Sequence, residues 1–186
     1  MALPNLIIIG SMKSGTTFLR RTISEHPDIF MVNPTEPRFF YHDTNFEKGV
    51  DWYMEWFKES GDSKIIGESS GLYSHCEKFP MTAQRMHMLI PNCKIIYLVR
   101  NPIERLKSHW AWDISNGRAI GNINIAVREQ NYLIEQSKYF KQIKAYRNFF
   151  PDHKIKVLFM EDMITNEKFF LKDVWKFLDV DASYIL

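Results

Sequence analysis

A lysine, two glycines and several hydroxyl side chains lie together between residues 10 and 17. Gly10 and Gly15 frame this turn, and Lys13 lies inside it. The remaining residues that could bind an anion through a hydroxyl or a backbone amide are Ser11, Ser14, Thr16 and Thr17. Glycine permits the backbone conformations in which several N–H groups converge on one anion, and the lysine adds a positive charge. These residue types at this spacing predict a phosphate-binding loop.

The order of residues in this loop differs from that of the commonest phosphate loop. There the lysine follows the second glycine, and a serine or threonine follows the lysine to hold magnesium. Here Lys13 precedes Gly15 by two residues, and no Gly-Lys-Ser or Gly-Lys-Thr occurs in the chain. The order disfavours a magnesium-dependent kinase or hydrolase. Two alternatives remain: a kinase of the phosphate-loop superfamily, and an ordinary strand-to-helix turn with a solvated lysine.

A second candidate anion site begins at Arg100, directly after the apolar run 94–99. Asn101 and Pro102 are typical of a helix start, with Asn101 as the N-cap and Glu104 placed to close a capping box. Ser108 then follows about two helical turns after Arg100. An arginine grips a phosphate through two parallel N–H bonds, so Arg100 and Ser108 could hold a second phosphate. Alternatively, Arg100 pairs with an acidic neighbour and Ser108 is a surface hydroxyl.

The elements that must position these residues alternate between short apolar strands and helices. We predict strands at 6–9, 64–67, 94–99 and 154–159, and helices at 16–25, 49–57, 80–89, 101–115, 122–136, 138–149 and from 165 or 166 to 178. This alternation predicts an α/β fold with a parallel sheet. Ligands of such sheets bind beyond the carboxyl ends of the strands, where Lys13 and Arg100 both lie.

Composition limits the class of protein. The chain has 186 residues, of which 45% are hydrophobic and 15% aromatic, which is typical of one packed globular domain. A net charge of +2 does not favour nucleic-acid binding. Cys76 and Cys93 are expected to be reduced and structural, and no metal site is predicted. The N-terminus runs directly into the first strand and no long apolar span occurs, so we expect a cytoplasmic protein without a membrane span.

The two candidate anion sites together resemble those of a known family. Residues 10–17 resemble the 5′-phosphosulfate loop of sulfotransferases that use 3′-phosphoadenylyl sulfate (PAPS), and residues 98–102 through Ser108 resemble their 3′-phosphate site. Further stretches are similar in order and spacing to the branch that sulfates heparan-type glycans: 26–28, 36–40, 49–53 and 139–151. The resemblance covers roughly residues 5 to 180.

The resemblance implies a three-layer α/β fold of the kind found in P-loop nucleoside-triphosphate hydrolases. It implies that Lys13 stabilises the leaving phosphate and that Glu36, in a Glu-x-x-Phe-Phe setting, is the general base. The residues implied to bind PAPS are Lys13, Ser14, Gly15, Thr16, Thr17, Arg100 and Ser108. The implied acceptor is a hydroxyl or amine of a carbohydrate or small metabolite. Without the resemblance, the position of Glu36 favours a loop carboxylate paired with Arg38 or with a lysine across the cleft, and the resemblance reverses this preference.

Three departures from the family pattern are visible. The glycan branch usually carries a lysine directly after the glutamate that corresponds to Glu68, and this chain has Ser69 there. Arg38 stands where part of the family has histidine. We expect residues 1–186 to form a single sulfotransferase domain that lacks the basic C-terminal loop closing over the nucleotide. A non-catalytic nucleotide-binding module of the same fold therefore stays an alternative. His42, His75 and His109 are interpreted as surface or packing residues, with His109 on the opposite side of its helix from Ser108.

Overall fold

The computed structural model describes residues 2–33, 36–129 and 131–184. Its strands, in chain order, are β1 (Leu6–Gly10), β2 (Ile29–Met31), β3 (Ile65–Ser69), β4 (Lys94–Val99) and β5 (Ile155–Phe159). Its helices are α1 (Thr16–Ile23), α2 (Asp43–Phe46), α3 (Gly49–Met54), α4 (Thr82–Leu89), α5 (Pro102–Ser115), α6 (Ile123–Glu129), α7 (Asn131–Glu135), α8 (Tyr139–Arg147), α9 (Met160–Thr165) and α10 (Glu167–Leu178). The strands form one parallel sheet in the order β2-β3-β1-β4-β5. The predicted parallel α/β fold is confirmed.

The central strand β1 is buried on both faces because helices cover both sides of the sheet. Ile7 and Ile9 belong to a core cluster that includes residues of α3, α4 and α8. Leu6 and Ile8 point to the other face, into a cluster with α1, α9 and α10. Alternate side chains of one apolar strand thus serve two separate cores, which gives the three-layer architecture.

Strand predictions differ from the structure at two places. The three-residue strand β2 was not predicted, since an Ile-Phe-Met run between turn residues is too short to show a period. β3 continues to Ser69, two residues beyond the predicted end at 67, and so carries the fully buried Glu68 inside the sheet. A charged residue type led the sequence-based boundary to stop too early.

Several helices differ in extent from the prediction. The helix predicted at 122–136 corresponds to α6 and α7, which flank residue 130; that residue lies outside the described residues. The predicted helix 49–57 is α3 followed by a 3₁₀ turn, Glu55–Phe57. The short helices α2 and α9 were not predicted. None of the helices in the described part of the chain has both the length and the apolar character needed to cross a membrane.

At the start of α5, the predicted N-cap Asn101 is confirmed, whereas the capping box predicted for Glu104 is not formed. The Asn101 side chain accepts hydrogen bonds from the backbone N–H groups of Ile103 at 3.0 Å and Glu104 at 3.3 Å. Glu104 does not close a capping box but pairs with Lys107. The Asn101 N–H instead donates to the Glu161 carboxylate of α9 at 2.7 Å. A tertiary contact replaces the expected local one and ties the end of β4 to the neighbouring helix.

Candidate active site

The predicted phosphate loop lies between β1 and α1 and depends on both of its glycines. Gly10 has φ 132°, and a Cβ there would lie 2.6 Å from the Ser74 hydroxyl oxygen and 2.9 Å from the Gly71 carbonyl oxygen. Gly15 is the N-cap of α1 with φ 89°, a left-handed conformation that favours glycine. The backbone of the loop therefore packs closely against the turn that follows β3.

The hydroxyl residues of the loop divide into two groups. Ser11 and Ser14 bond to one another through their hydroxyl oxygens at 2.6 Å, and the Ser14 N–H donates to the Ser11 carbonyl at 3.2 Å. Ser14 thus rigidifies the loop, and its hydroxyl is already engaged. Thr16 and Thr17 lie in the first turn of α1, where backbone N–H groups have no intrahelical acceptor and the helix dipole favours an anion.

Lys13 and Arg100 meet at the carboxyl ends of two neighbouring strands, β1 and β4. The Arg100 guanidinium donates to the Lys13 carbonyl at 3.4 Å. Burial lowers the pKa of Lys13, Asp113 opposes this shift, and Arg100 adds to it. Neither cation forms an ion pair with any residue that the structure describes. The structure therefore brings together two unpaired cations where the sequence placed an anion.

Arg100 and Ser108 line one cleft, of about 580 Å³, which we call the donor cleft. Its other lining residues come from α5 and the start of α6: Glu104, Lys107, Trp110, Ala111 and Ile123. The two residues of the predicted second phosphate site are thus on the same cavity wall. The alternative in which Arg100 forms an ion pair finds no partner among the described residues.

Glu36 lies in a second cleft, of about 530 Å³, which we call the acceptor cleft. Its walls come from five separate stretches of chain: Met12, Glu36, Arg38, Gly71, Leu72, His75, Lys78, His109, Trp112, Asp113, Arg118, Tyr132 and Gln136. The Glu36 carboxylate accepts a hydrogen bond from the Ser70 hydroxyl at 3.0 Å. It makes no ion pair with Arg38 or with any lysine of the described chain, so the structure does not favour the ion-paired alternative.

Trp112 connects the acceptor cleft to the phosphate loop. The Lys13 ammonium lies 5.5 Å from the centroid of its ring, and the Arg118 guanidinium lies 4.3 Å from the same ring. Both distances are within the range of cation–π attraction. Trp112, on α5, thus lines the acceptor cleft and is not part of the two core clusters.

A polar network on α5 and α7 was missed by sequence reasoning. Asp113 is 3% exposed, accepts a hydrogen bond from the Tyr132 hydroxyl and lies 3.7 Å from His109 Nε2. Burial, followed by the nearby Arg105, lowers the pKa of His109 to about 4, so this imidazole is neutral at physiological pH. His109 faces the acceptor cleft while Ser108 faces the donor cleft, as predicted. The four-residue spacing of His109 and Asp113 was the available signal.

Behind the acceptor cleft lies a buried carboxyl group that the sequence analysis did not assign. Glu68 is fully buried, and its Oε1 accepts hydrogen bonds from the Tyr53 and Tyr73 hydroxyls. Burial raises the pKa of Glu68 to about 7, the two tyrosine hydroxyls oppose this rise, and Glu36 adds to it. Glu68 is therefore a mixture of neutral and charged forms near neutral pH.

No group of three or more potential metal ligands occurs among residues 2–33, 36–129 and 131–184. Charge at the site is supplied instead by the side chains of Lys13 and Arg100 and by the start of α1. The donor set fits an anionic ligand bound by protein groups.

Comparison with known proteins places this geometry in a family. The family model of the sulfotransferase domain matches residues 3–184. The membrane-associated sulfotransferase kil1 of Dictyostelium discoideum is 35% identical over 117 residues, which are 61% of this chain and 24% of that protein. The bifunctional heparan sulfate N-deacetylase/N-sulfotransferase 2 of Homo sapiens is 25% identical over 198 residues, covering 96% of this chain and 22% of that protein. The chain thus spans about a quarter of the length of these relatives.

Solved structures of sulfotransferases have the same fold as this chain. A sulfotransferase from Alicyclobacillus acidocaldarius matches with a TM-score of 0.87 and 26% identity, over 100% of this chain and 84% of that one. A mouse sulfotransferase, SULT7A1, in complex with PAP matches with a TM-score of 0.66 and 21% identity, over 96% of this chain and 58% of that one. With a family model that matches nearly every residue and a loop geometry that fits it, the chain belongs to the sulfotransferase domain family.

Proposed function

We propose that this domain transfers a sulfuryl group from PAPS to a hydroxyl or amine of a carbohydrate or small-molecule acceptor. The observation that carries the proposal is the position of Lys13 between the two clefts. Arg100 of the donor cleft donates to the Lys13 carbonyl, and the Lys13 ammonium lies over Trp112 of the acceptor cleft. A group transferred from one cleft to the other would pass this ammonium.

The donor is assigned from the chemistry of the residues that would hold it. The amides at the start of α1 and Lys13 suit a 5′-phosphosulfate, and Arg100 and Ser108 suit a second phosphate about two helical turns away. The close packing of Gly10 against Ser74 and Gly71 fixes the position of the loop that carries Lys13. The mouse relative in complex with PAP supports an adenosine bisphosphate as the product.

In the transfer, the bond between sulfur and the bridging phosphate oxygen breaks, and its electron pair stays on that oxygen. The ammonium of Lys13 stabilises the charge that develops on the leaving phosphate. The acceptor oxygen or nitrogen forms a new bond to sulfur and loses a proton. Glu36 takes this proton as the general base, because its carboxylate lines the acceptor cleft and is not held in an ion pair among the described residues.

The acceptor class is proposed from the relatives and from the acceptor cleft. Aromatic and polar side chains both line this cleft, as is typical of sites that bind sugars or small organic molecules. A relative named as a heparan sulfate N-sulfotransferase supports a carbohydrate, either at a hydroxyl or at an amine. A cytoplasmic location stays a prediction, and one relative is named as membrane-associated.

The test is transfer of labelled sulfate from PAPS to a panel of amino sugars, glycans and aryl alcohols, read as a mass shift of the acceptor. Calorimetry with adenosine 3′,5′-bisphosphate measures nucleotide binding separately. Transfer together with binding supports the proposal. Binding without transfer to any acceptor supports the non-catalytic module, and magnesium-dependent consumption of ATP supports the kinase alternative.

A further inference from the structure

The carboxylate of Glu36 is held by a partner outside its own segment. Glu36 lies between β2 and α2, residues 36–38 belong to neither helix nor strand, and Arg38 has φ 54°. The Glu36 side chain is exposed to the acceptor cleft. Within the described chain, the Ser70 hydroxyl donates a hydrogen bond to Oε2 of the Glu36 carboxylate at 3.0 Å. The direction of this carboxylate is therefore decided by Ser70 rather than by local backbone structure.

Ser70 is itself firmly fixed. It is fully buried, and it directly follows β3. Its backbone N–H donates to the Ile8 carbonyl of β1 at 3.0 Å, and its carbonyl accepts from the Tyr73 N–H at 3.3 Å. A buried serine bonded to the central strand is a rigid support for a carboxylate on a loop.

The turn that begins at Ser70 also packs against the phosphate loop. The Ser74 N–H donates to the Ile9 carbonyl at 2.8 Å. A Cβ at Gly71 would lie 3.3 Å from the Met12 Cα, and one at Gly10 would lie 2.9 Å from the Gly71 carbonyl oxygen. The turn cannot shift without moving the loop that carries Lys13. One short segment thus contacts both the phosphate loop and Glu36.

We infer that Ser70 is a positioning residue, which orients the Glu36 carboxylate relative to the phosphate loop and leaves its Oε1 facing the acceptor. The inference rests on the proposed function, in which Glu36 is the general base. A base that is oriented by a third group is a recurring arrangement in catalysis. Transfer rates depend steeply on such placement, since the reacting atoms must lie in line.

The test compares Ser70→Ala, which removes the hydroxyl, with Ser70→Thr, which keeps it. We expect Ser70→Ala to lower kcat about tenfold or more, and Ser70→Thr to restore most of this loss. Affinity for adenosine 3′,5′-bisphosphate should stay within about twofold, so the loss should fall on kcat rather than on nucleotide binding. Ser60→Ala is the matched control, since Ser60 is also buried but is not the serine that bonds Glu36.

A double-mutant cycle shows whether Ser70 acts through Glu36. In the Glu36→Gln background, Ser70→Ala should have little further effect on kcat. An unchanged kcat in Ser70→Ala would overturn the inference, and so would a Ser70→Thr variant as impaired as Ser70→Ala. Equal losses in both backgrounds would also overturn it, because Ser70 would then act on something other than Glu36.

A measurement without turnover separates this inference from the proposed function. The ¹³C carboxyl resonance of Glu36, assigned by its loss in Glu36→Gln, should move in Ser70→Ala and not in Ser60→Ala. If the wild-type protein transfers sulfate to no acceptor but the resonance moves, the proposed function fails while the orienting contact stands. A resonance that is the same in all Ser70 variants overturns the contact itself.

Discussion

The donor cleft and the acceptor cleft are built in different ways. The phosphate loop and the donor cleft come mainly from two chain segments, 10–17 and 100–108, at the carboxyl ends of the neighbouring strands β1 and β4. The acceptor cleft combines residues from five parts of the chain that are far apart in sequence: Met12, 36–38, 71–78, 109–118 and 132–136. A site for a charged nucleotide can be made from strand ends and one helix start, whereas a shaped cleft requires the whole tertiary structure.

The donor cleft and the acceptor cleft differ in charge as well. On the donor side, Lys13 and Arg100 form no ion pairs among the described residues, and the carboxylate that lines the donor cleft, Glu104, is paired with Lys107. The acceptor side mixes two carboxylates, Glu36 and Asp113, with cations at Arg38 and Arg118. The first arrangement stabilises negative charge, and the second can both bind an acceptor and remove its proton. Variants on the two sides should therefore fail in different steps.

The largest effect is expected at Lys13, which lies where the two clefts meet. Lys13→Ala should lower kcat by about 10³-fold, at the upper end for the loss of one group that stabilises transition-state charge. Lys172→Ala, at an exposed lysine of α10, is the control. Single-turnover measurement with labelled PAPS gives the rate. Near-normal turnover in Lys13→Ala would show that the leaving phosphate is stabilised elsewhere.

The next largest effect is expected at Glu36, on the acceptor side alone. Glu36→Gln should lower kcat by about 10²-fold, since a positioned base contributes roughly 10² to 10⁴. Binding of adenosine 3′,5′-bisphosphate, measured by calorimetry, should not change. The control is Glu59→Gln, at an exposed glutamate outside the acceptor cleft. Weakened nucleotide binding in Glu36→Gln would contradict the separation of the two clefts.

A smaller effect is expected at Arg100, on the donor side. Arg100→Ala should raise the Kd for adenosine 3′,5′-bisphosphate about tenfold, because a hydrogen bond to a charged group contributes about 1.5–3 kcal/mol. Adenosine 5′-phosphate, which lacks the 3′-phosphate, should bind the two proteins equally. Arg147→Ala, at an exposed arginine of α8, serves as the control. An equal loss of affinity for both nucleotides would place Arg100 away from the 3′-phosphate.

The smallest effect is expected on the stability of the fold, through the buried carboxyl group of Glu68. The pKa of Glu68 is raised to about 7 in the fold, so the folded protein binds more protons than the unfolded chain between about pH 4.5 and 7. The stability that comes from its neutral form is complete below this range and is lost as pH rises through 7. In Glu68→Gln, this decrease in stability with rising pH should be absent.

Thermal unfolding at pH 5 and pH 8 measures the difference. The Tm of the wild type relative to Glu68→Gln should fall by about 5 °C between these pH values. The neutral buried histidines, His75 and His109, contribute the opposite trend below pH 6.5, but they are common to both proteins and cancel in the comparison. A Tm difference that is independent of pH would show that Glu68 does not titrate in this range.

The elements that carry the donor-side residues could be predicted from the sequence because their signals are local. A buried strand followed by two glycines predicts the turn around Lys13, and Asn101 with Pro102 marks the start of α5. The acceptor side was predicted only at Glu36, through the family resemblance. Its Ser70 contact and the Asp113 network depend on β3 and α7 packing beside distant segments, which no short-range pattern records.

Residue types and their spacing by themselves predicted the parallel α/β architecture, the turn that holds Lys13 between two glycines, and the placement of Arg100 at the end of a strand before the helix that carries Ser108. The patterns behind these predictions are local in the sequence. Only the tertiary structure decided that Ser70 holds Glu36 and that Trp112 lies beside Lys13. The physical reason is that the sheet order places β3 beside β2 and β4 beside β1, so groups 34 residues apart along the chain, Glu36 and Ser70, become hydrogen-bond partners.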